Sequence, residues 1–176
     1  GEDVLVIGVS SGVGTAAVQI SKLLGARVIA TTSSEEKALK AKQLGADDVI
    51  NYRKQNVLEE VRRLTEKKGV EIVFDHVGKS VWEESIKCLT KGGRLVTCGA
   101  TSGYDAVTDL RYVFYKQLQI LGSSMGKKGD LITIMKLIER GKLKPVIDRV
   151  LPLSDVREAH RIVEEGKHFG KIVLLP

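Results

Sequence analysis

Short runs of apolar residues alternate along this chain with longer segments whose apolar positions recur every three or four residues. The run from Val4 to Ile7 is continuous, as expected of a strand buried on both faces of a sheet. Helical spacing follows from Val13 to Leu24, and Gly25 is placed to end that helix. The pattern therefore predicts a buried first strand that leads directly into a first helix.

The same alternation continues through the next hundred or so residues. Five further strands are predicted, over residues 28–31, 48–50, 72–74, 94–97 and 118–121. Intervening helices are predicted over 34–44, from 57 to near Gly69, around 82–89, and from 131 to Gly141. Strands that alternate with helices form parallel sheets with helices on both faces. The predicted fold class is therefore α/β, a doubly wound parallel six-stranded sheet.

A domain boundary is predicted near Lys144-Pro145, which divides the chain into residues 1–145 and 146–176. The second part contains an extended run over 146–151, a helix around Ala159 and a final strand over 172–175. These elements could extend the first sheet or belong to a different domain.

Composition narrows the possible partners. The chain has 28 Lys and Arg and 22 Asp and Glu, which gives a net charge of +6. In segments such as 59–68 basic and acidic residues are mixed. Such mixing favours solvated helix faces over a nucleic-acid-binding surface. Aromatic residues make up 5% of the chain, too few for a base-stacking surface. No apolar stretch is long enough to span a membrane, and no signal peptide is recognisable. We therefore expect no nucleic-acid or membrane partner.

The two cysteines and three histidines show neither metal-ligand spacing nor a disulfide framework. The two cysteines are Cys88 and Cys98; the histidines are scattered. A reduced, cytoplasmic setting and the absence of a metal site in this chain are the resulting expectations.

A glycine-rich turn from Gly8 to Gly14 lies between the first strand and the first helix. Glycine allows the backbone to turn tightly and to approach a pyrophosphate, and the helix N-terminus offers free N–H groups to that anion. Gly14 would also permit close packing of helix against strand. A structural turn without ligand is the alternative, but the strand–turn–helix context favours a Rossmann dinucleotide site.

The end of the second strand indicates which dinucleotide is preferred. An acid that binds the adenosine ribose of NAD is expected there, yet the chain reads Thr31-Thr32-Ser33-Ser34 before Glu35. The hydroxyls and the following Lys37 would suit a 2′-phosphate, so NADP(H) is predicted over NAD(H). The competing interpretation is that Ser33 and Glu36 form a helix capping box and Lys37 is simply solvated.

Five stretches, taken in order, resemble the medium-chain dehydrogenase/reductase superfamily, and most closely its quinone oxidoreductases and zinc-type alcohol dehydrogenases. They are VLVIGVSSGVGTAAVQISK (4–22), LGADDVINY (44–52), VFDHVG (73–78), GGRLVTCG (92–99) and FGKIVL (169–174). The turn has serines where alcohol dehydrogenases place a middle glycine, which favours the quinone oxidoreductases. Gly78-Lys79 departs from the pair of glycines that many of those enzymes carry.

The resemblance implies cofactor contacts at matching positions. A pyrophosphate loop is implied at Ser11, Gly12, Val13 and Gly14, and adenosine-phosphate contacts at Ser33, Lys37 and Tyr52. Contacts with the cofactor's ribose are implied at Val77 and Gly78. The residues implied to surround the nicotinamide are Cys98, Gly99, Ala100, Leu121, Gly122 and Ser123. The implied reaction is hydride transfer between nicotinamide and a quinone, enone, aldehyde or alcohol.

The resemblance also implies what lies outside this sequence. A catalytic domain with the substrate pocket, and zinc in some members, precedes the Rossmann segment in that superfamily. We therefore expect this chain to be an inactive cofactor half, in which 146–176 is the return segment of the catalytic domain and no residue is catalytic. Superfamily dimers join through the sixth strand, so residues 119–123 predict a homodimer.

Two other functions stay open at this point. A non-catalytic dinucleotide-binding module, used as a redox sensor, would need the same turn and no substrate domain. A short-chain dehydrogenase would use the Tyr-x-x-x-Lys pair Tyr112 and Lys116, in which the lysine lowers the tyrosine pKa. That pair follows the turn by too few residues for that family, and the FGKIVL ending opposes it.

Overall fold

The computed structural model describes all 176 residues, and its centre is a six-stranded sheet in which every neighbouring pair of strands is parallel. The strands are β1 (Asp3–Val6), β2 (Arg27–Thr32), β3 (Asp48–Asn51), β4 (Val70–Asp75), β5 (Leu89–Thr97) and β6 (Gln119–Gly122). Their order across the sheet is β3-β2-β1-β4-β5-β6. This is the doubly wound Rossmann order, which confirms the predicted fold class.

Six helices connect or follow these strands. They are α1 (Gly12–Leu23), α2 (Glu35–Gln43), α3 (Val57–Leu64), α4 (Lys79–Cys88), α5 (Leu110–Tyr115) and α6 (Lys128–Glu139). None of the helices in the chain combines the length and the apolar character that crossing a bilayer requires.

The apolar run of β1 supplies both halves of the core. Leu5 and Ile7 belong to one buried cluster, to which α3 and α4 contribute, whereas Val4 and Val6 belong to a second cluster with residues of α1 and α2. Because successive side chains of a strand point to opposite faces, a continuous apolar run is what a central strand covered on both sides needs.

The C-terminal residues form a separate unit instead of extending the main sheet. Strands β7 (Ile147–Pro152) and β8 (Lys171–Leu175) pair in parallel as a two-stranded sheet, and α7 (Val156–Glu164) connects them. The unit is nevertheless anchored to the Rossmann core, because Phe169 is buried in the cluster of β1 and β2. A domain division at residue 145 stays a prediction.

Two local expectations were wrong. Ser34, not Ser33, caps α2, because β2 continues its pairing to Thr32 and only the Ser34 hydroxyl then accepts the N–H of Lys37, at 3.3 Å. The fifth strand begins at Leu89, where it pairs with Val70, and not at Arg94. The intervening residues 90–93 carry no apolar alternation from which the longer strand could be predicted.

Candidate functional site

The crevice at the carboxyl edge of the sheet is where ligands bind in folds of this kind, at the point where the strand order reverses. In this chain that point lies between β1, which connects through α1 to β2, and β4 on its other side. The residues predicted to bind the cofactor all follow or end strands of one parallel sheet, so the fold places all of them at the same edge.

The glycine turn is fixed to the sheet by backbone hydrogen bonds. The N–H of Gly8 donates to the Thr31 hydroxyl at 3.0 Å, and the N–H of Val9 donates to the Thr31 carbonyl at 3.0 Å. Gly8 itself has a φ of +69°, a conformation that favours glycine. The turn is therefore held in place before any ligand arrives.

Ser11 is the N-cap of α1. Its hydroxyl accepts the N–H of Gly14 at 2.8 Å and lies 3.0 Å from Nε2 of His76. Gly12 and Val13 occupy the first turn of the helix, with the side chain of Val13 exposed. This arrangement leaves N–H groups of the helix start free for an anion, which the positive end of the helix dipole also favours.

Two residues of the turn's surroundings escaped the sequence analysis. His76, directly after β4, sits over Gly8 and Ser11, and Lys171 at the start of β8 lies across Gly12. Gly170 anchors the C-terminal unit here by donating its N–H to the Ser10 carbonyl at 2.8 Å. His76 lies in the stretch VFDHVG and Lys171 in FGKIVL, both of which resemble the superfamily. That resemblance was the only sequence feature from which a role at the turn could have been predicted.

A cavity of about 450 Å³ opens beside the turn, on the side of the sheet covered by α3 and α4. Gly8, Thr31, Tyr52 and Val77 lie around it together with residues 55–57 at the start of α3. Tyr52 is half exposed, so its ring is available to a ligand. The cavity is therefore a concave, partly apolar space adjacent to the phosphate-binding turn.

A basic pair lies near the ends of β2 and β3. Burial, and then the positive charge of Arg53, lower the pKa of Lys37, whose ammonium donates to the Gly166 carbonyl. Ser33 is half-buried one residue before the cap of α2. The carboxylates of Glu36 and Asp148 act in the opposite direction and raise the pKa of Lys37, so its ammonium lies among charges of both signs.

The nearest acid already has two side-chain partners. The Glu35 carboxylate accepts the side-chain N–H of Asn51 at 3.0 Å and pairs with the Lys54 ammonium at 3.1 Å. These two hydrogen bonds lower the pKa of Glu35. Two side chains thus hold the Glu35 carboxylate at the start of α2.

The loop between β4 and α4 is organised by a buried carboxylate. Asp75 accepts the N–H of Val77 at 2.7 Å and that of Gly78 at 3.2 Å, while burial raises its pKa. Lys79 stands where many quinone oxidoreductases carry a second glycine. Its ammonium forms an ion pair with the Asp105 carboxylate, at 2.7 Å. Val77 and Gly78 are therefore fixed at the crevice.

The residues predicted near the nicotinamide follow β5 and β6. Cys98 is exposed and donates its N–H to the Asp75 carbonyl at 3.1 Å, and Gly99 and Ala100 continue the loop. Leu121 and Gly122 end β6, and the N–H of Ser123 donates to the Thr97 carbonyl at 2.9 Å. These two segments therefore extend the crevice beyond β4, away from the cavity.

The Tyr112–Lys116 pair lies at the opposite edge of the sheet. The Lys116 ammonium donates to the carbonyls of Lys87 and Leu89, at 3.1 and 2.6 Å, where α4 ends and β5 begins. Its charge also lies 5.5 Å from the centre of the Tyr112 ring. Because this is the amino end of the strands, the pair cannot reach a ligand at the carboxyl edge, which argues against short-chain dehydrogenase chemistry.

The donor side chains in this chain do not fit a metal. No group of three or more His, Cys, Asp and Glu side chains is arranged to hold an ion. Cys88 is buried, which raises its pKa to about 12 and keeps the thiol protonated.

Comparison with known proteins identifies the lineage. Residues 12–140 match the sequence profile of the zinc-binding dehydrogenases. An acryloyl-coenzyme A reductase of Sulfurisphaera tokodaii is 39% identical over 178 residues, covering 100% of this chain and 51% of that protein.

Solved structures give the same result. An NAD-dependent alcohol dehydrogenase superposes with a TM-score of 0.94 at 50% identity, over 100% of this chain and 51% of that one. Escherichia coli quinone oxidoreductase, complexed with NADPH, superposes with a TM-score of 0.88 at 32% identity, over 99% of this chain and 57% of that one. The chain thus spans about half the length of the proteins it matches.

Proposed function

Because this chain belongs to the zinc-binding dehydrogenases of the medium-chain dehydrogenase/reductase superfamily, we propose that it is the NADP(H)-binding part of an oxidoreductase. The observation that carries the proposal is the glycine turn, which faces the reversal point of the sheet and has the free N-terminus of α1 above it. The pyrophosphate would lie on Ser11, Gly12, Val13 and Gly14.

Lys171 supports this position for the pyrophosphate. Its methylene groups lie over Gly12, and its exposed ammonium adds a positive charge at the helix start. The residue belongs to the C-terminal unit, whose attachment to the turn through Gly170 and Ser10 would supply one more cation to the phosphates. This charge would act equally on NAD(H) and NADP(H), since both carry the pyrophosphate.

The adenosine would occupy the cavity beside the turn. Tyr52 and Val77 offer apolar surfaces on either side of its opening, and its volume of about 450 Å³ exceeds what an adenine ring needs. The end of β2 borders this cavity at Thr31. There the basic pair of Lys37 and Arg53 would bind a 2′-phosphate, with Ser33 as a hydroxyl donor.

The preference for NADP(H) rests on charge. A phosphate monoester carries up to two negative charges and would relieve the repulsion between Lys37 and Arg53, whereas a ribose hydroxyl would not. Of the two acids that follow β2, Glu35 is engaged by Asn51 and Lys54, and Glu36 is paired with Lys40. The 50% identical alcohol dehydrogenase is described as NAD-dependent, so the two dinucleotides have to be compared on this chain directly.

The nicotinamide would lie beyond the pyrophosphate, between the Cys98–Ala100 loop and the end of β6. The cofactor, when bound, supplies a hydride at its nicotinamide ring, and the protein orients it and excludes water. We propose a quinone, enone, aldehyde or alcohol as the substrate, held by residues outside the Rossmann core. Any zinc would also lie outside this chain, whose side chains do not fit one.

Calorimetric titration with NADPH and NADH tests both halves of the proposal. Lys37→Ala should weaken NADPH binding roughly fivefold, about 1 kcal/mol, and less at high salt, while NADH binding is nearly unchanged. Lys171→Ala should weaken both dinucleotides by equal factors. Lys68→Ala, at an exposed position in the turn before β4 at the amino edge of the sheet, is the matched control and should change neither.

The outcomes separate the two claims. If the unmodified chain binds neither dinucleotide, dinucleotide binding itself is refuted. If it binds NADH more tightly than NADPH, or if Lys37→Ala weakens both equally, only the assignment of the 2′-phosphate to Lys37 is refuted.

A further inference from the structure

The imidazole of His76 is placed where the phosphate-binding turn begins. Its Nε2 lies 3.0 Å from the Ser11 hydroxyl and 3.3 Å from the Gly8 carbonyl oxygen. The ring is half-buried at the end of β4, so it stays accessible to protons from solvent. Its proton state can therefore change the hydrogen bonds of the turn directly.

The Ser11 hydroxyl has a single proton to donate. Its oxygen already accepts the N–H of Gly14 at 2.8 Å, and two acceptors compete for its hydrogen: the Gly8 carbonyl at 3.2 Å, and Nε2 of His76 when that nitrogen is unprotonated. A phosphate oxygen on the turn would be a third. Nε2 donates to Ser11 or Gly8 both in the imidazolium and in the neutral Nε2–H tautomer, so only the neutral Nδ1–H tautomer competes for the serine hydrogen.

We propose that the neutral ring of His76 holds its hydrogen on Nδ1 in the free chain, and that His76 is a positioning residue that couples dinucleotide binding to proton uptake through Ser11. Protonation at Nε2 releases the Ser11 hydrogen for a phosphate oxygen and turns the Ser11–His76 contact into a donation from histidine to serine. The bound pyrophosphate in turn favours the protonated ring by its negative charge. Binding should therefore strengthen as pH falls across the range in which histidine titrates. The inference rests on the proposed function.

The other charged groups around the ring support this direction. The Asp75 carboxylate, next in the chain, accepts the N–H groups of Val77 and Gly78 and makes no ion pair with the ring. Cys98, at the end of β5, is a thiol whose pKa burial and the charge of Asp75 raise. Lys171, from β8, brings a positive charge to Gly12. The buried Asp75 carboxylate already interacts with the charge of the ring in the free chain, and the pyrophosphate would add a second negative charge at the turn.

The probe for the experiment is NAD⁺, because it lacks the 2′-phosphate monoester that itself titrates near pH 6. Its dissociation constant is measured by calorimetry at several pH values from about 6 to about 8, and the proton count is obtained from buffers with different ionisation enthalpies. We expect binding roughly three- to tenfold tighter at the acidic end, with net proton uptake, since one group changes affinity at most tenfold per pH unit.

Three variants locate the coupling. His76→Gln keeps a hydrogen-bonding side chain that does not titrate, so the pH dependence and the proton uptake should both disappear. Ser11→Ala retains the histidine but removes the hydroxyl, and should reduce the pH dependence along with the affinity. His160→Gln, an exposed histidine of α7, is the control and should behave as the unmodified chain.

Every result decides the inference. Binding by the unmodified chain that is independent of pH, with no proton uptake, overturns it and leaves the proposed function standing. So does a pH dependence that persists in His76→Gln or is undiminished in Ser11→Ala. Failure to bind any dinucleotide at any pH overturns the inference and the proposed function together. Should a variant not fold, the proton count of the unmodified chain still tests the coupling.

Discussion

Gly14 packs so closely against Gly8 that a Cβ at position 14 would lie 2.4 Å from the Gly8 carbonyl oxygen. The same Cβ would lie 2.7 Å from the Cα of Val9, and backbone atoms of a buried turn have no room to retreat. The distance between α1 and β1 is therefore set by the absence of a side chain at this position.

Gly14→Ala should consequently destabilise the fold, by about 2 kcal/mol, the ordinary cost of overpacking a core. The free energy of unfolding in urea measures the effect. Gly129→Ala in the exposed first turn of α6 is the matched control, where a Cβ meets nothing and alanine should be neutral or slightly stabilising. Equal stability of Gly14→Ala and the unmodified chain would contradict the packing argument.

Gly12→Val should act differently, on binding and not on folding. A Cβ at position 12 would meet only methylene groups of the flexible Lys171 side chain, the nearest at 2.3 Å, and these can move aside. The added bulk would still stand between the backbone and a pyrophosphate. We expect a nearly unchanged urea midpoint together with loss of measurable NADPH binding. Full retention of cofactor affinity would remove the turn from the proposed site.

The sequence alone predicts the layers and the sheet of this fold because those depend on short-range patterns. The apolar run at Val4–Ile7 indicates that β1 is covered on both faces. The glycine at position 14 indicates that α1 packs closely against β1. Both are local properties that the order of residues displays directly.

What the sequence could not predict depends on pairings between distant segments. The contact of Ser11 with His76 joins residues 65 positions apart, and Lys171 reaches Gly12 across almost the whole chain. Even the choice between Ser33 and Ser34 as helix cap depends on where β2 stops pairing with β3. Each of these requires the register of the sheet, which no local pattern contains.

Asp75 should make stability fall as the pH rises from acid towards neutral. Burial raises its folded-state pKa above the ordinary value, so its favourable contribution is present below that value and is lost as pH rises through the raised pKa. Asp75→Asn keeps an oxygen for the N–H of Val77 and cannot ionise. Between about pH 4 and pH 7, the free energy of unfolding of the variant should therefore fall less with rising pH than that of the unmodified chain.

The control for that experiment is Asp105→Asn, an exposed carboxylate paired with Lys79, which should alter the slope less. An identical pH profile for Asp75→Asn and the unmodified chain would mean that Asp75 ionises as freely in the folded protein as in the unfolded one.

The two thiols should differ sharply in reactivity. Burial raises the pKa of Cys88 to about 12, whereas Cys98 is exposed on the loop after β5 with a pKa raised less strongly. Because the thiolate is the reactive form, iodoacetamide should modify Cys98 alone in the folded chain, faster at alkaline pH. Saturating NADPH should slow the modification if this loop borders the nicotinamide. Peptide mass spectrometry with and without cofactor measures both effects, and unprotected labelling would place the nicotinamide elsewhere.

Strand β6 should join two copies of the chain into one symmetric dimer. It pairs only with β5, all four of its residues are exposed, and none is charged or proline. Its outer N–H and C=O groups are therefore a template for a second β6. The opposite edge strand, β3, begins instead with Asp48, whose charge opposes such pairing. Ile120, 40% exposed at the centre of the free edge, is the residue to change.

Sedimentation equilibrium at tens of micromolar should give a dimer for the unmodified chain and a monomer for Ile120→Lys, because two ammonium groups would face each other across the twofold axis. Leu39→Lys, the same change at an exposed site of α2, should leave the dimer intact. Circular dichroism of both variants checks that the fold is retained. An unmodified chain that is monomeric, or an Ile120→Lys variant that still dimerises, would show that copies of this chain do not associate through β6.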